Sequence, residues 1–231
     1  MADTLYLSLW YPNLRLESLG EKLCAVLSGF AAHGGEARVY AATVWPVNWS
    51  EAPVFQRIYG RMAGGGTANA QESSQSSPGA DPRQAVEEAL ELLHDDFAYE
   101  FQIGWKLWEL ETDGESAAEK AERDGKGGLR PLRWARTARL VRVAGYGPLF
   151  DAGAYEQDGH IRIDFGSDAP FLEEEAELDR AGALHVEENV RQLVELATGV
   201  EKASGATARL LWSELGESLA ERLAERLGRR N

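Results

Sequence analysis

The sequence predicts an α+β protein with a mixed, mostly antiparallel sheet and helices mainly on one face. Three observations carry that expectation. Phe97, Tyr99, Phe101, Ile103, Trp105 and Leu107 alternate with Ala98, Glu100, Gln102, Gly104 and Lys106, the two-residue period of a strand packed on one side. Apolar residues step by three and four through Leu16, Leu19, Leu23, Val26, Leu27 and Phe30, and again through Val186, Val190, Leu193, Ala197 and Val200. These are the stripes of amphipathic helices. Each stripe lies between two strand-like runs, so the chain reads as two ferredoxin-like β-α-β units with antiparallel strands between them.

Thr4 to Trp10 has no strict polar alternation and reads as a largely buried strand. The following helix ends at His33-Gly34-Gly35, where glycine accepts the left-handed conformation of a helix C-terminus. Ala37 to Trp45 is the next strand, stopped by Pro46. Residues 1–60 form the first unit. Residues 61–81, with Gly64-Gly65-Gly66 and a run of Ser, Gln and Gly, cannot bury a core and read as a flexible linker or loop. Residues 82–231 hold a helix, antiparallel strands and the second unit, packed with 1–60 as one compact domain. Asp81 caps that helix, Pro82 suits its first turn, and Gln84 can close a capping box.

Glu111 to Gly128 reads as a second polar loop, and Arg133 to Phe150 as an extended segment. A turn at Gln157-Asp158-Gly159 leads into Ile161, Ile163 and Phe165 on one face of a short strand. The acidic stretch from Glu173 to Glu177 suits a solvated surface. Ala206 to Trp212 is the last strand. Leu215, Leu219, Leu223 and Leu227 form the stripe of a C-terminal helix, with Arg226, Arg229 and Arg230 placed to favour its dipole. That stripe suits packing on the sheet, with self-association as the other use. Laid over itself, the chain brings Gly34, Ala37 and Arg38 onto Gly205, Ala208 and Arg209; with so few identities, similar topology is the reading, not duplication.

A chain of 231 residues with 44% apolar content and seven tryptophans can bury a sizeable core without staples. Its net charge of −14 disfavours nucleic-acid backbones and anionic membranes. It favours a protein partner of basic character. No apolar run approaches a membrane span, and Met1-Ala2-Asp3-Thr4 has no signal-peptide character. The single cysteine, Cys24, rules out an internal disulfide and fits a reducing compartment. The expectation is a cytoplasmic protein. Cys24 borders an apolar stripe and reads as a small buried thiol.

The chain carries no phosphate loop, zincin motif, Cys-x-x-Cys, nucleophile elbow or dinucleotide fingerprint, and no cofactor is expected. His33, His94, His160 and His185 are scattered; His185 and Glu188 could supply two metal ligands, but nothing nearby supplies a third, so no metal is expected. Arg130, Arg133, Arg136, Arg139 and Arg142 recur every third residue. Arg133, Arg136 and Arg139 could form an anion site. In a strand, however, that spacing sends alternate arginines to opposite faces, which favours cross-strand pairing with Glu100, Glu109 and Glu111.

Strands joined through a helix point the same way, and open sheets tend to bind ligands where such strands end. That geometry gathers Trp10, Tyr11, Asn13, Trp45, Asn48, Trp49 and Trp212 into an aromatic strand-end surface; covering the sheet end is their competing, structural role. The favoured function is a non-enzymatic binding protein that presents this surface and its acidity to a partner, as a protein neutralising a basic toxin would. The alternative is a small hydrolase-like enzyme with Asp164, Asp168 and His185 as acid–base residues at the same end.

Overall fold

In a computed structural model, residues 3–62, 79–110, 133–172, 178–214 and 219–228 are described. Most of the 61–81 linker, the loop after Glu111, the acidic stretch 173–177, Leu215, Arg229 and Arg230 lie outside these residues, as do the side chains of Arg226 and Leu227.

The α+β class holds. Seven strands form one sheet: β1 (Thr4–Trp10), β2 (Gly35–Pro46), β3 (Phe55–Ile58), β4 (Phe97–Leu110), β5 (Trp134–Tyr146), β6 (Ile161–Ser167) and β7 (Ala208–Ser213). Their spatial order is β3-β2-β4-β5-β6-β1-β7. Every neighbouring pair is antiparallel, so the expected mixed sheet is corrected to an antiparallel one. The strands of each unit do run the same way, but never side by side. Three strands separate β1 from β2, whereas only β1 separates β6 from β7. The two units are therefore not equivalent.

Six helices accompany the sheet among the described residues: α1 (Leu19–Ala32), α2 (Pro82–Ala89), α3 (Tyr155–Asp158), α4 (Ala169–Leu172), α5 (Arg180–Ser204) and α6 (Leu219–Gly228). Local chemistry sets their ends. Asp81 caps α2 by accepting from the Arg83 amide at 2.9 Å, while Gln84 reaches forward to Glu88 instead of closing a capping box. Asp179 caps α5 through the Gly182 amide at 2.7 Å, and Gly205 at φ 72° ends it. α1, α2, α5 and α6 pack against one another as a single layer.

Strand alternation aims one set of side chains at that layer. Leu5, Leu7 and Leu9, then Tyr99, Phe101, Ile103, Trp105 and Leu107, then Ile161, Ile163 and Phe165 all join one core with Leu23, Phe30, Val190 and Leu193 from the helices. Trp105 is its largest fully buried side chain. Its ring meets Phe30, Phe165 and Phe171 at centroid distances of 6.1, 5.3 and 5.8 Å. Its indole N–H donates to the His33 carbonyl at 2.9 Å, satisfying the only polar atom it brings inside.

Trp105→Ala empties the middle of this core and leaves the His33 carbonyl without its donor. The expected cost is about 3–5 kcal/mol of unfolding free energy, measured by chemical denaturation.

Candidate functional site

The same alternation leaves the opposite sheet face uncovered by α1, α2, α5 and α6, with only the short α3 among the described helices touching it at one end. Tyr6, Ser8, Arg142, Ala144, Arg162, Asp164 and Glu100 point to this side, because their neighbours along each strand belong to the core. A row of rings and one guanidinium crosses it. Trp212 of β7 stacks on Tyr6 of β1 at 4.5 Å. The Arg162 guanidinium lies 5.4 Å from the Tyr6 ring and 5.7 Å from the Tyr146 ring, a cation–π contact on each side. Tyr146 then meets Phe150 and Trp49 at 5.8 and 6.0 Å, and Trp49 meets Trp45 at 5.8 Å. Trp45, Trp49 and Tyr155 pack on a small second core of Ala98, Ala144, Tyr146 and Phe150.

Beside this row is a cleft of about 200 Å³ bordered by Tyr6, Trp49, Glu100, Arg142, Arg162 and Asp164. Arg142 bridges Asp164 at 2.6 Å, and the Gly166 amide donates to the same carboxylate at 2.8 Å. Arg162 pairs with Asp158. Glu100 is held differently. Burial pushes its carboxyl up, and the positive field of Arg142 only partly draws it back. Burial also pushes the Tyr6 phenol up, helped by its 3.0 Å hydrogen bond to Glu214.

A second cavity, of about 350 Å³, opens at the end of the sheet where β1 and β5 finish, lined among others by Tyr11, Asn13, Leu16, Tyr146, Tyr155 and His160. Gly159 shapes it: at φ 86° the turn lies against β1, where a Cβ would sit 2.8 Å from the Leu9 nitrogen. His160 accepts the Tyr11 amide on Nδ1 at 3.2 Å and lies between Tyr155 and Tyr11, whose rings are 4.8 and 6.1 Å away. Burial pushes its pKa down. A shallower, mainly apolar groove of about 720 Å³ runs between α1 and α2 beside Cys24, whose thiol burial pushes up.

The sequence-predicted site residues fall into several groups. Trp45 and Trp49 are in contact. Trp10 shares their end of the sheet, but β6, β5 and β4 lie between, and its indole donates to the Glu156 carbonyl at 3.4 Å. Tyr11 is buried and donates to Ser204 at 2.8 Å. Asn13 is exposed at φ 52°, and Asn48 folds its side chain onto the Ser50 amide. Trp212 pairs in register with Tyr6; because β7 runs against β1, Trp212 lies toward the opposite end from Trp10. The single strand-end surface is thus divided between two places.

The acid–base candidates are dispersed. Asp164 lies in the open-face cleft. Asp168 is buried, accepts the Asp3 amide at 2.9 Å and lies 3.5 Å from Arg222. His185, on α5, stacks on Trp108 at 4.0 Å and lies 5.6 Å from Trp134. The arginines also separate. Arg136 lies 3.7 Å from Glu188 and Arg139 3.1 Å from Glu109, while Arg133 is exposed; Glu111 lies outside the described residues. No group of three or more His, Cys, Asp or Glu side chains suited to a metal occurs among the described residues. No helix there is long and apolar enough to cross a membrane.

Sequence reasoning missed Tyr6, Glu100, Tyr146, Arg162 and His160 as site residues. The alternation of Arg162 and Asp164 with Ile161, Ile163 and Phe165 was the available signal for an open face. The chain matches no protein-family model, and no curated protein or solved structure matches it.

The Glu100 carboxyl holds its proton more tightly in the folded chain than its ordinary value of 4.5 implies. Its stabilising contribution is therefore full below that value and lost as pH rises through the raised folded value. Glu100→Gln keeps the site neutral throughout. The variant is expected to be more stable than the parent at neutral pH and to lack this part of the pH dependence; denaturant midpoints measured across the acid range check both.

Proposed function

We propose that this chain is a non-catalytic binding protein that holds a basic protein partner against its uncovered sheet face. The observation that carries the reading is the row from Trp212 through Tyr6, Arg162 and Tyr146 to Trp49 and Trp45. Its partly exposed Trp212, Tyr6, Trp49 and Trp45 rings lay aromatic surface of the kind enriched in binding interfaces along a face that the helical layer of α1, α2, α5 and α6 does not cover. Leu140 and Leu210, 48% and 52% exposed, add apolar contact on the same side by strand alternation.

Charge supports the choice of partner. Glu100, Asp158, Asp164 and Glu214 outnumber Arg142 and Arg162 around the cleft, within a chain of net charge −14. Such a surface steers a cationic protein and repels an anionic one. The acid–base alternative needs Asp164, Asp168 and His185 within hydrogen-bond reach of one substrate, and they occupy three separate surroundings.

Affinity isolation from the native host, with the tagged chain as bait, tests this reading. A basic protein is expected to be retained at low salt and released as the screening length falls from ~10 Å at 0.1 M to ~3 Å at 1 M. Leu140→Lys and Leu210→Lys should abolish retention, while Leu184→Lys, 51% exposed on α5 in the helical layer, should not. Equal retention by all three variants, or loss only with Leu184→Lys, would remove the uncovered face from the function.

A further inference from the structure

We infer that the cavity where β1 and β5 end is a binding site for a small, uncharged aromatic molecule bearing a hydrogen-bonding oxygen or nitrogen. Two features point there independently of the partner-binding face. The first is size and lining. About 350 Å³ falls in the range of small-molecule sites, and the walls combine Leu14, Leu16, Leu19 and Pro148 with three tyrosines, His160 and Asn13. No side chain lining it carries a formal charge when His160 is neutral, so a charged ligand would lose its hydration without a counterion.

The second feature is a defined donor. The Tyr11 amide donates to His160 Nδ1, so the neutral ring carries its proton on Nε2. Burial keeps the ring neutral by lowering its pKa. Nε2–H meets no acceptor among the described residues and is available to a ligand oxygen or ring nitrogen. Tyr155, tilted 32° from the imidazole, gives a flat wall beside it.

The Tyr146 hydroxyl is not part of this site, because it has no accessible surface and feels the charges of Arg162, Asp158, Glu100 and Asp164 on the uncovered face.

The test uses the whole chain with phenol and indole as probes, each titrated to millimolar concentration. His160→Gln is compared with the parent by nuclear magnetic resonance and by thermal unfolding. Phenol or indole is expected to shift the His160 and Tyr155 ring signals in the parent and to leave signals around Cys24 in the α1–α2 groove unchanged. His160→Gln should bind about tenfold more weakly, the effect of losing one ligand hydrogen bond. The inference is overturned if neither probe moves the His160 signals, or if His160→Gln binds as the parent does. None of these outcomes depends on the uncovered face, where loss of partner retention is read separately.

Discussion

Arg162 is the charge around which the uncovered face is organised. Its guanidinium lies between the Tyr6 and Tyr146 rings and pairs with Asp158, so one side chain links β1, β5, β6 and the turn before β6. Arginine suits this position and lysine does not. A planar, weakly hydrated cation can lie against two ring faces and still offer N–H groups in its plane to a carboxylate. The rings in turn continue to Trp212 on one side and to Phe150 and Trp49 on the other. Without the cation at its centre the row would be two aromatic clusters at opposite ends of the sheet.

The helical layer explains why that face exists at all. α1, α2, α5 and α6 are packed on one side, and the core-facing residues of β1, β4, β5 and β6 give it a dry surface. An antiparallel sheet can leave its other side in water, and here that side carries Ser8, Glu100, Arg142, Arg162 and Asp164 between its rings. The charges are matched locally, Arg142 with Asp164 and Arg162 with Asp158, which leaves Glu100 as the carboxylate of the cleft without an ion pair of its own among the described residues. Its raised proton affinity is the electrostatic trace of that position.

Much of this was legible in the residues. The alternation of Phe97 to Leu107, the stripes of α1 and α5, the Asp81 cap and the stop of α1 at His33-Gly34 each follow from periodicity or backbone preference and appear where expected. Strand order was not legible, because alternation says which way a side chain faces and nothing about which strand lies alongside. For that reason β6 and β7 could be placed as running together while the insertion of β1 between them went unforeseen, and Trp212 was set at the wrong end. β3, four residues with a single aromatic, has too short a pattern to stand out. Tyr6 was hidden within Thr4 to Trp10, where Tyr6 and Trp10 on one face, opposite Leu5, Leu7 and Leu9 on the other, made both faces look apolar. Its partner ring sits on β7, 206 positions away in register terms of Tyr6 with Trp212, and no local signal could join them.

Backbone strain points to the end of the sheet where β1, β2 and β5 all finish. Among the described residues, the non-glycine positions with left-handed backbones are Asn13, Val47, Asp151 and Ala152, and each follows one of those three strands. Val47 is the most telling, because a β-branched side chain resists that conformation. It is held there by hydrogen bonds on both sides, accepting from the Asp151 amide at 2.7 Å and donating to the Asp96 carbonyl at 2.8 Å. The indole N–H of Trp45 and the hydroxyl of Tyr146, both buried without partners, lie at the same end. A fold free to relax would place glycine at the strained turns and phenylalanine in place of an idle phenol. Buried polar atoms without hydrogen-bond partners occur at the opposite end too, on Asp168, Ser213 and Trp134, so it is the left-handed backbones that mark the ends of β1, β2 and β5 as the part of the sheet shaped by something other than stability.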